Sequence, residues 1–263
     1  MVAGTLLALG GCECRSHEPA RGQSMVRTEP IVLTYDVPPG WFDAMSGPLR
    51  PAVAPEISEE GLPLVKLADL DDEERQVVDR IVQVLRGYYP GWDGDPDSLR
   101  PFYDGWYDTP EIAHYKETID RRVASDRVWP AFFAEVRGAA GDFMVQHGSP
   151  PGFYVPSFTV VISRGEPRDV TAVFRLSMLM PYYDYYEVIR DDGRPKQIHL
   201  TAEDPDTRPV AGFVRRAIAK HFPDYRELPP RLGSVVIPTM RADSTLIGET
   251  TLAELLFSDI RNW

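Results

Sequence analysis

The sequence predicts an α+β fold, an antiparallel β-meander packed against several helices. Three observations carry this. Helical periodicity with clear end signals governs the first half of the chain, alternation of period two takes over after Pro150-Pro151-Gly152, and one further helix follows the strands instead of alternating with them. Helices first and strands second are not the strand-helix alternation that builds a parallel sheet, so a dinucleotide-binding or P-loop fold is disfavoured.

Taken in order, Ile31 to Val37 reads as a strand stopped by Pro38-Pro39-Gly40, and a proline-rich irregular stretch follows to Pro63. Asp71 opens the first clear helix, with Glu74 three residues on in a capping-box arrangement and Gly87 placed to end it; Val77, Val78, Ile81, Val82 and Leu85 form its apolar stripe. Thr109-Pro110-Glu111 starts a second helix. Asp126, with Pro130 in the first turn, starts a third that is expected to carry Trp129, Phe132, Phe133, Val136, Phe143 and Met144 to an end near Gly148. Residues 153–164, 170–180 and 182–190 then read as successive strands, with a turn at Asp191 to Arg194 leading to a last strand at 196–200. A helix over about 208–222 presents Val210, Phe213, Val214, Ala217 and Ile218 on one face and stops at Pro223. Residues 232–239 read as a further strand and 251–258 as a short closing helix. The body is thus expected to be one α+β domain over 31–263, helical over about 64–148 and sheet over about 153–240.

A chain of 263 residues with 43% hydrophobic content can bury a substantial core. Its net charge is −12. Most of that imbalance is local: residues 56–111 hold fifteen Asp or Glu against five Lys or Arg, a net of −10. A field of that sign repels nucleic-acid phosphates and attracts cationic partners, so nucleic acid is not an expected ligand. The only cysteines are Cys12 and Cys14, which leaves the body without a disulfide framework.

The N-terminus supplies an expected address. The apolar run Leu6 to Leu9 closes in Leu9-Gly10-Gly11-Cys12, which resembles a bacterial lipobox. The resemblance implies that residues 1–11 are a signal peptide and that Cys12 is lipidated. Residues 12–30 then form a flexible tether, and the protein sits in the cell envelope, anchored by lipid and facing the periplasm or the outside. No Lys or Arg precedes the apolar run, and the alternative is translation from Met25, which would leave the protein in the cytoplasm. Nowhere does the chain reach 18 consecutive apolar residues.

Catalytic and metal signatures are sparse. Asp93-Gly94-Asp95-Pro96-Asp97-Ser98 has the alternating carboxylates of a calcium loop, but Ser98 replaces the usual glycine and the twelfth position is the short-armed Asp104. His17, His114, His147, His199 and His221 are scattered without ligand spacing, no serine sits in a nucleophile elbow, and no phosphate-cradling glycine loop occurs, so nothing points to a cofactor and the reading leans away from an enzyme. Asp184 and Glu187, within Tyr182 to Glu187, could be imagined as paired carboxylates among sugar-stacking tyrosines, yet tyrosines that alternate along a strand are ordinary sheet residues.

The remaining feature is an acidic aromatic stretch in which Tyr88, Tyr89, Trp92, Phe102, Tyr103, Trp106 and Tyr107 interleave with Asp93, Asp95, Asp97, Asp104 and Asp108. Aromatics give contact area at low entropic cost and carboxylates give steering, so Trp92, Asp93, Asp95, Asp97, Asp104, Trp106, Tyr107 and Asp108 are the candidate partner-binding residues. The competing reading packs these rings inward beneath a solvated acidic loop. Together with the lipobox, the stretch is similar in general character to immunity proteins that neutralise antibacterial toxins. That likeness implies an inhibitor that occludes a basic protein surface through Asp93, Asp95, Asp97 and Asp104, anchored by Trp92 and Trp106. The alternative is a periplasmic solute- or glycan-binding lipoprotein or enzyme, with a cleft lined by Tyr182 to Glu187.

Overall fold

The computed structural model describes residues 64–95, 98–148, 155–164, 169–190, 197–199, 204–242 and 247–257. The expected signal peptide, the tether, Cys12, the strand at 31–37 and Asp97 lie outside the described residues. The fold is α+β, and every described residue belongs to one compact unit.

Helix α1 (Asp72–Leu85) forms where its end signals place it: Asp71 Oδ1 accepts from the Glu74 N–H at 2.8 Å and Glu74 Oε2 accepts from the Asp71 N–H at 3.2 Å. Val77, Val78, Ile81 and Leu85 are its buried stripe. A short helix α2 (Leu99–Gly105), continued by a 3-10 turn over Trp106–Asp108, occupies a stretch whose glycines and prolines suggest a loop. Pro101 is tolerated there because it falls in the first turn, where backbone N–H groups have no partner within a helix. Thr109 caps α3 (Pro110–Ser125), whose Ile112, Tyr115, Thr118 and Ile119 are buried. Asp126 Oδ1 accepts from the N–H groups of Val128 and Trp129 at 2.8 and 2.9 Å and so starts α4 (Val128–Ala139).

The third predicted helix does not run to Gly148; it ends at Ala139, and Met144–His147 form strand β1. Gly141 adopts φ 60°, a left-handed conformation that breaks the helix and lets the chain turn back onto the sheet. Phe143 and Met144 therefore leave the helix, and Met144 is exposed.

Strands β2 (Ser157–Arg164), β3 (Asp169–Ser177), β4 (Tyr182–Arg190) and β5 (Gln197–His199) follow β1 in an antiparallel meander of spatial order β1-β2-β3-β4-β5. Helix α5 (Thr207–His221) comes next, and β6 (Arg226–Glu227) pairs in parallel with the start of β4. The register sets the two faces of the sheet. Phe158, Leu176 and Tyr183 align on one, as do Val160, Phe174 and Tyr185, while Thr159, Arg175 and Asp184 align on the other. Helices α4 and α5 cover the first face: Trp129 stacks on Phe158 with ring centroids 4.7 Å apart, and Arg215 lies over Tyr185 at 4.9 Å. Against the second face packs α7 (Leu252–Phe257), whose Phe257 carbonyl accepts from Ser157 Oγ at 2.9 Å. Tyr89 just past α1 donates its hydroxyl to the Leu255 carbonyl at 2.8 Å, which ties the first helix to the last.

A second correction falls on the strand expected at 232–239. Pro230 sits in the first turn of a one-turn helix α6 (Pro230–Gly233), and only single bridges follow, Val65 to Val235 and Val236 to Thr251. Val235 and Ile237 are buried, so the apolar run reflects core packing, not a continuous strand.

Candidate functional site

The acidic segment separates into groups with different roles. At the start of α1, Asp71 and Glu74 cap the helix, Glu74 also accepts from Arg231 Nε at 2.9 Å, and Asp69 Oδ2 accepts from the Lys66 N–H at 3.2 Å. These acids hold the fold together. The candidate surface therefore narrows to the loop after α1.

That loop is built as a rigid turn. The Trp92 N–H donates to the Thr239 carbonyl at 2.8 Å, fixing the loop to the body, and the Trp92 indole Nε1 donates to Ser98 Oγ at 3.0 Å. Asp93 Oδ1 accepts from the Asp95 N–H at 3.0 Å and from Ser98 Oγ at 2.7 Å, an Asx-turn that closes the acidic turn on itself. Those bonds, the Asp95 N–H first and Ser98 second, hold the Asp93 carboxyl below the ordinary carboxylate range. Asp93 Oδ1 is thus engaged by local donors, and no group of three or more His, Cys, Asp or Glu placed to hold a metal ion is found among the described residues.

The aromatics of this stretch divide between core and surface. Tyr88 and Tyr89 are buried, Tyr88 stacked on His114 at 5.0 Å and Tyr89 tilted against Tyr115 at 5.4 Å. Trp106, expected to present itself to a partner, is corrected to a core residue: it is 3% exposed, and its Nε1 has no hydrogen-bond partner among the described residues. With so little accessible surface, and with the Arg241 guanidinium over its face, the ring meets no partner in this conformation. Tyr107, its neighbour, is 52% exposed and meets Trp106 edge-on at 4.9 Å. Asp93, Asp95, Asp104 and Asp108 are all exposed, and Trp92 is half-buried. Along residues 92–108 one ring, Tyr107, and the four carboxylates of Asp93, Asp95, Asp104 and Asp108 thus face outward, while Trp106 faces inward.

Two cations escaped the sequence reading. Arg241, from the C-terminal part of the chain, places its guanidinium 4.6 Å over the Tyr103 ring and 5.0 Å over Trp106, and the Lys116 ammonium lies 5.8 Å over Tyr107. Lys116 falls nine positions after Tyr107 with a helix start between, and Arg241 is remote in sequence, so no local pattern could have disclosed either.

The carboxylates weighed as a glycosidase pair do not form one. Asp184 and Glu187 are three residues apart on β4 and therefore point to opposite faces of the sheet. Asp184 is bound to Arg175, whereas the fully buried Glu187 accepts from the hydroxyls of Tyr185 and Thr207 and from the Asp204 N–H at 3.1 Å, which fastens the start of α5 to β4. Tyr182, Tyr183, Tyr185 and Tyr186 are all buried, so they form sheet core where a cleft lining was considered. Tyr183 donates to Glu227 at 3.1 Å, and Arg215 grips the same carboxylate with two bonds of 2.7 Å.

No family model, curated protein or solved structure matches this chain. Among the described residues no helix is long and apolar enough to cross a membrane.

Proposed function

We propose that this protein is a binding protein of the immunity type, an inhibitor that covers a basic surface of a protein partner with the loop from Trp92 to Asp108. The observation that carries the reading is Tyr107, 52% exposed between the exposed Asp104 and Asp108, on a turn whose preceding residue is fixed in the core. A ring held in place before binding loses little entropy when a partner covers it, and the flanking carboxylates steer a basic surface toward it. Asp93 and Asp95 extend the same charge along the loop. In this reading Cys12 carries the lipid and the tether to Pro30 holds the body off an envelope membrane.

The test is co-expression with the product of an adjacent toxin-like gene. The native protein is expected to co-purify with it and protect cells, with affinity falling as salt rises from about 0.05 to about 0.5 M. Replacing Asp95, Asp104 and Asp108 with lysine, which spares the Asp93 side chain that closes the turn, is expected to abolish both effects while leaving the fold intact. Binding that ignores these reversals, or no protection by the native chain, overturns the proposal.

A further inference from the structure

The loop already holds cations over its own rings, and both are supplied by this chain. Tyr103 is gripped twice by the segment leading to α7: Arg241 covers its face, and its hydroxyl accepts from the Ile247 N–H at 2.8 Å. The same guanidinium overlies Trp106, a ring that is 3% exposed and whose indole N–H has no hydrogen-bond partner among the described residues. A planar guanidinium stacked on aromatic faces is the arrangement by which arginine, more than lysine, is recognised. Asp104, which directly follows Tyr103, and Asp108 are exposed, so the surface of this stretch carries negative charge that favours the approach of a cation.

We infer that the Tyr103–Trp106 platform is a guanidinium-binding site, filled at rest by Arg241 and open to an arginine side chain of a partner that takes its place. The inference rests on the loop being the partner-binding surface and names the chemistry it selects, arginine in preference to lysine. Arg241 then acts as a resident competitor. It shields the Trp106 ring until an arginine of a partner replaces it, and it lowers affinity for isolated arginines.

The experiment uses the full chain carrying Arg241→Ala, titrated with N-acetyl-arginine amide and, separately, N-acetyl-lysine amide. The readout is the Trp106 indole N–H resonance, assigned by its loss in Trp106→Phe or, if that variant does not fold, by its displacement in Tyr103→Leu. The arginine compound is expected to shift this resonance saturably in Arg241→Ala and to bind roughly tenfold more tightly than to the native chain, with the lysine compound weaker. Arg241→Lys, which keeps the charge, is expected to fall between the two and serves if the alanine variant does not fold. An unshifted resonance overturns the site, as does equal binding by native and variant chains, or undiminished arginine binding when Tyr103→Leu is added to Arg241→Ala. Salt-sensitive partner binding by the native chain without arginine uptake by the variant refutes the guanidinium site alone. Arginine uptake without any partner binding refutes the proposed function alone.

Discussion

Arg175 on β3 and Asp184 on β4 stand directly opposite one another and form a bidentate ion pair on the sheet face turned to α7. Arg175 Nε donates to Asp184 Oδ1 at 2.9 Å and Nη2 to Oδ2, and the guanidinium lies 5.1 Å from the Tyr186 ring centre and 5.2 Å from that of Phe257. Arg175 is 1% exposed. Burial pushes the Asp184 carboxyl above the ordinary carboxylate range, and the guanidinium pulls it back.

Removing water from two charges costs about as much as their attraction returns, so the pair is expected to matter more when broken than when absent. Arg175→Met or Asp184→Leu alone should destabilise the protein by about 3–5 kcal/mol, because each leaves a buried charge without its partner. Replacing both together, Arg175→Met with Asp184→Leu, should cost far less than the two single changes summed. Urea unfolding of the four proteins completes the cycle, and additive losses would refute the coupling.

A second ion pair gives a pH dependence with a definite sign. Glu135 on α4 accepts from Lys220 Nζ at 2.6 Å and lies 2.7 Å from His221 Nε2, both at the end of α5. The Lys220 bond first, then that of His221, holds the Glu135 carboxyl below its ordinary 4.5. A carboxyl depressed by folding contributes stability above its unfolded pKa and loses it as pH falls through the folded value. Glu135→Gln should therefore be less stable than the native protein near neutral pH, with the gap closing below about pH 4.5. Urea midpoints measured across that range check it, and a gap that widens on acidification would contradict the sign.

What the sequence made legible follows from how each element is determined. Helices α1 and α3 carry their own start signals at Asp71 and Thr109, and β2 to β4 repeat often enough for the period to show. The elements it missed, α2, α6, β1 and β6, have at most seven residues each, too few for a period to declare itself, and tertiary contacts decide them. The loop is similar. Its carboxylates could be placed at the surface from their charge alone, but Trp106 and Tyr107 are adjacent aromatics with opposite fates. A 3-10 turn rotates successive side chains by about 120°, and it is Trp106, with the Arg241 guanidinium 5.0 Å from its ring centre, that goes inward, a contact too remote in sequence to be foreseen.

Ser98 offers a way to disturb the loop without touching its charges. Its hydroxyl accepts from the Trp92 indole and can donate either to Asp93 Oδ1 at 2.7 Å or to the Asp95 carbonyl at 2.8 Å, so one oxygen joins three residues of the turn. Ser98→Ala keeps every carboxylate and removes that junction. Global stability should change little, because most of the turn is exposed and the Trp92 N–H still donates to Thr239. Asp93 should behave differently: without one of the bonds that lower its pKa, its carboxyl should titrate closer to the ordinary 3.8, which carbon-13 NMR of the side chain reads directly. If the fixed turn is what presents the acids to a basic partner, the variant should also bind that partner several-fold more weakly, through faster dissociation, at unchanged net charge. An unmoved Asp93 titration would show that Ser98 does not order the turn. An altered titration with unchanged affinity would show that the partner reads the charge of the loop but not its shape.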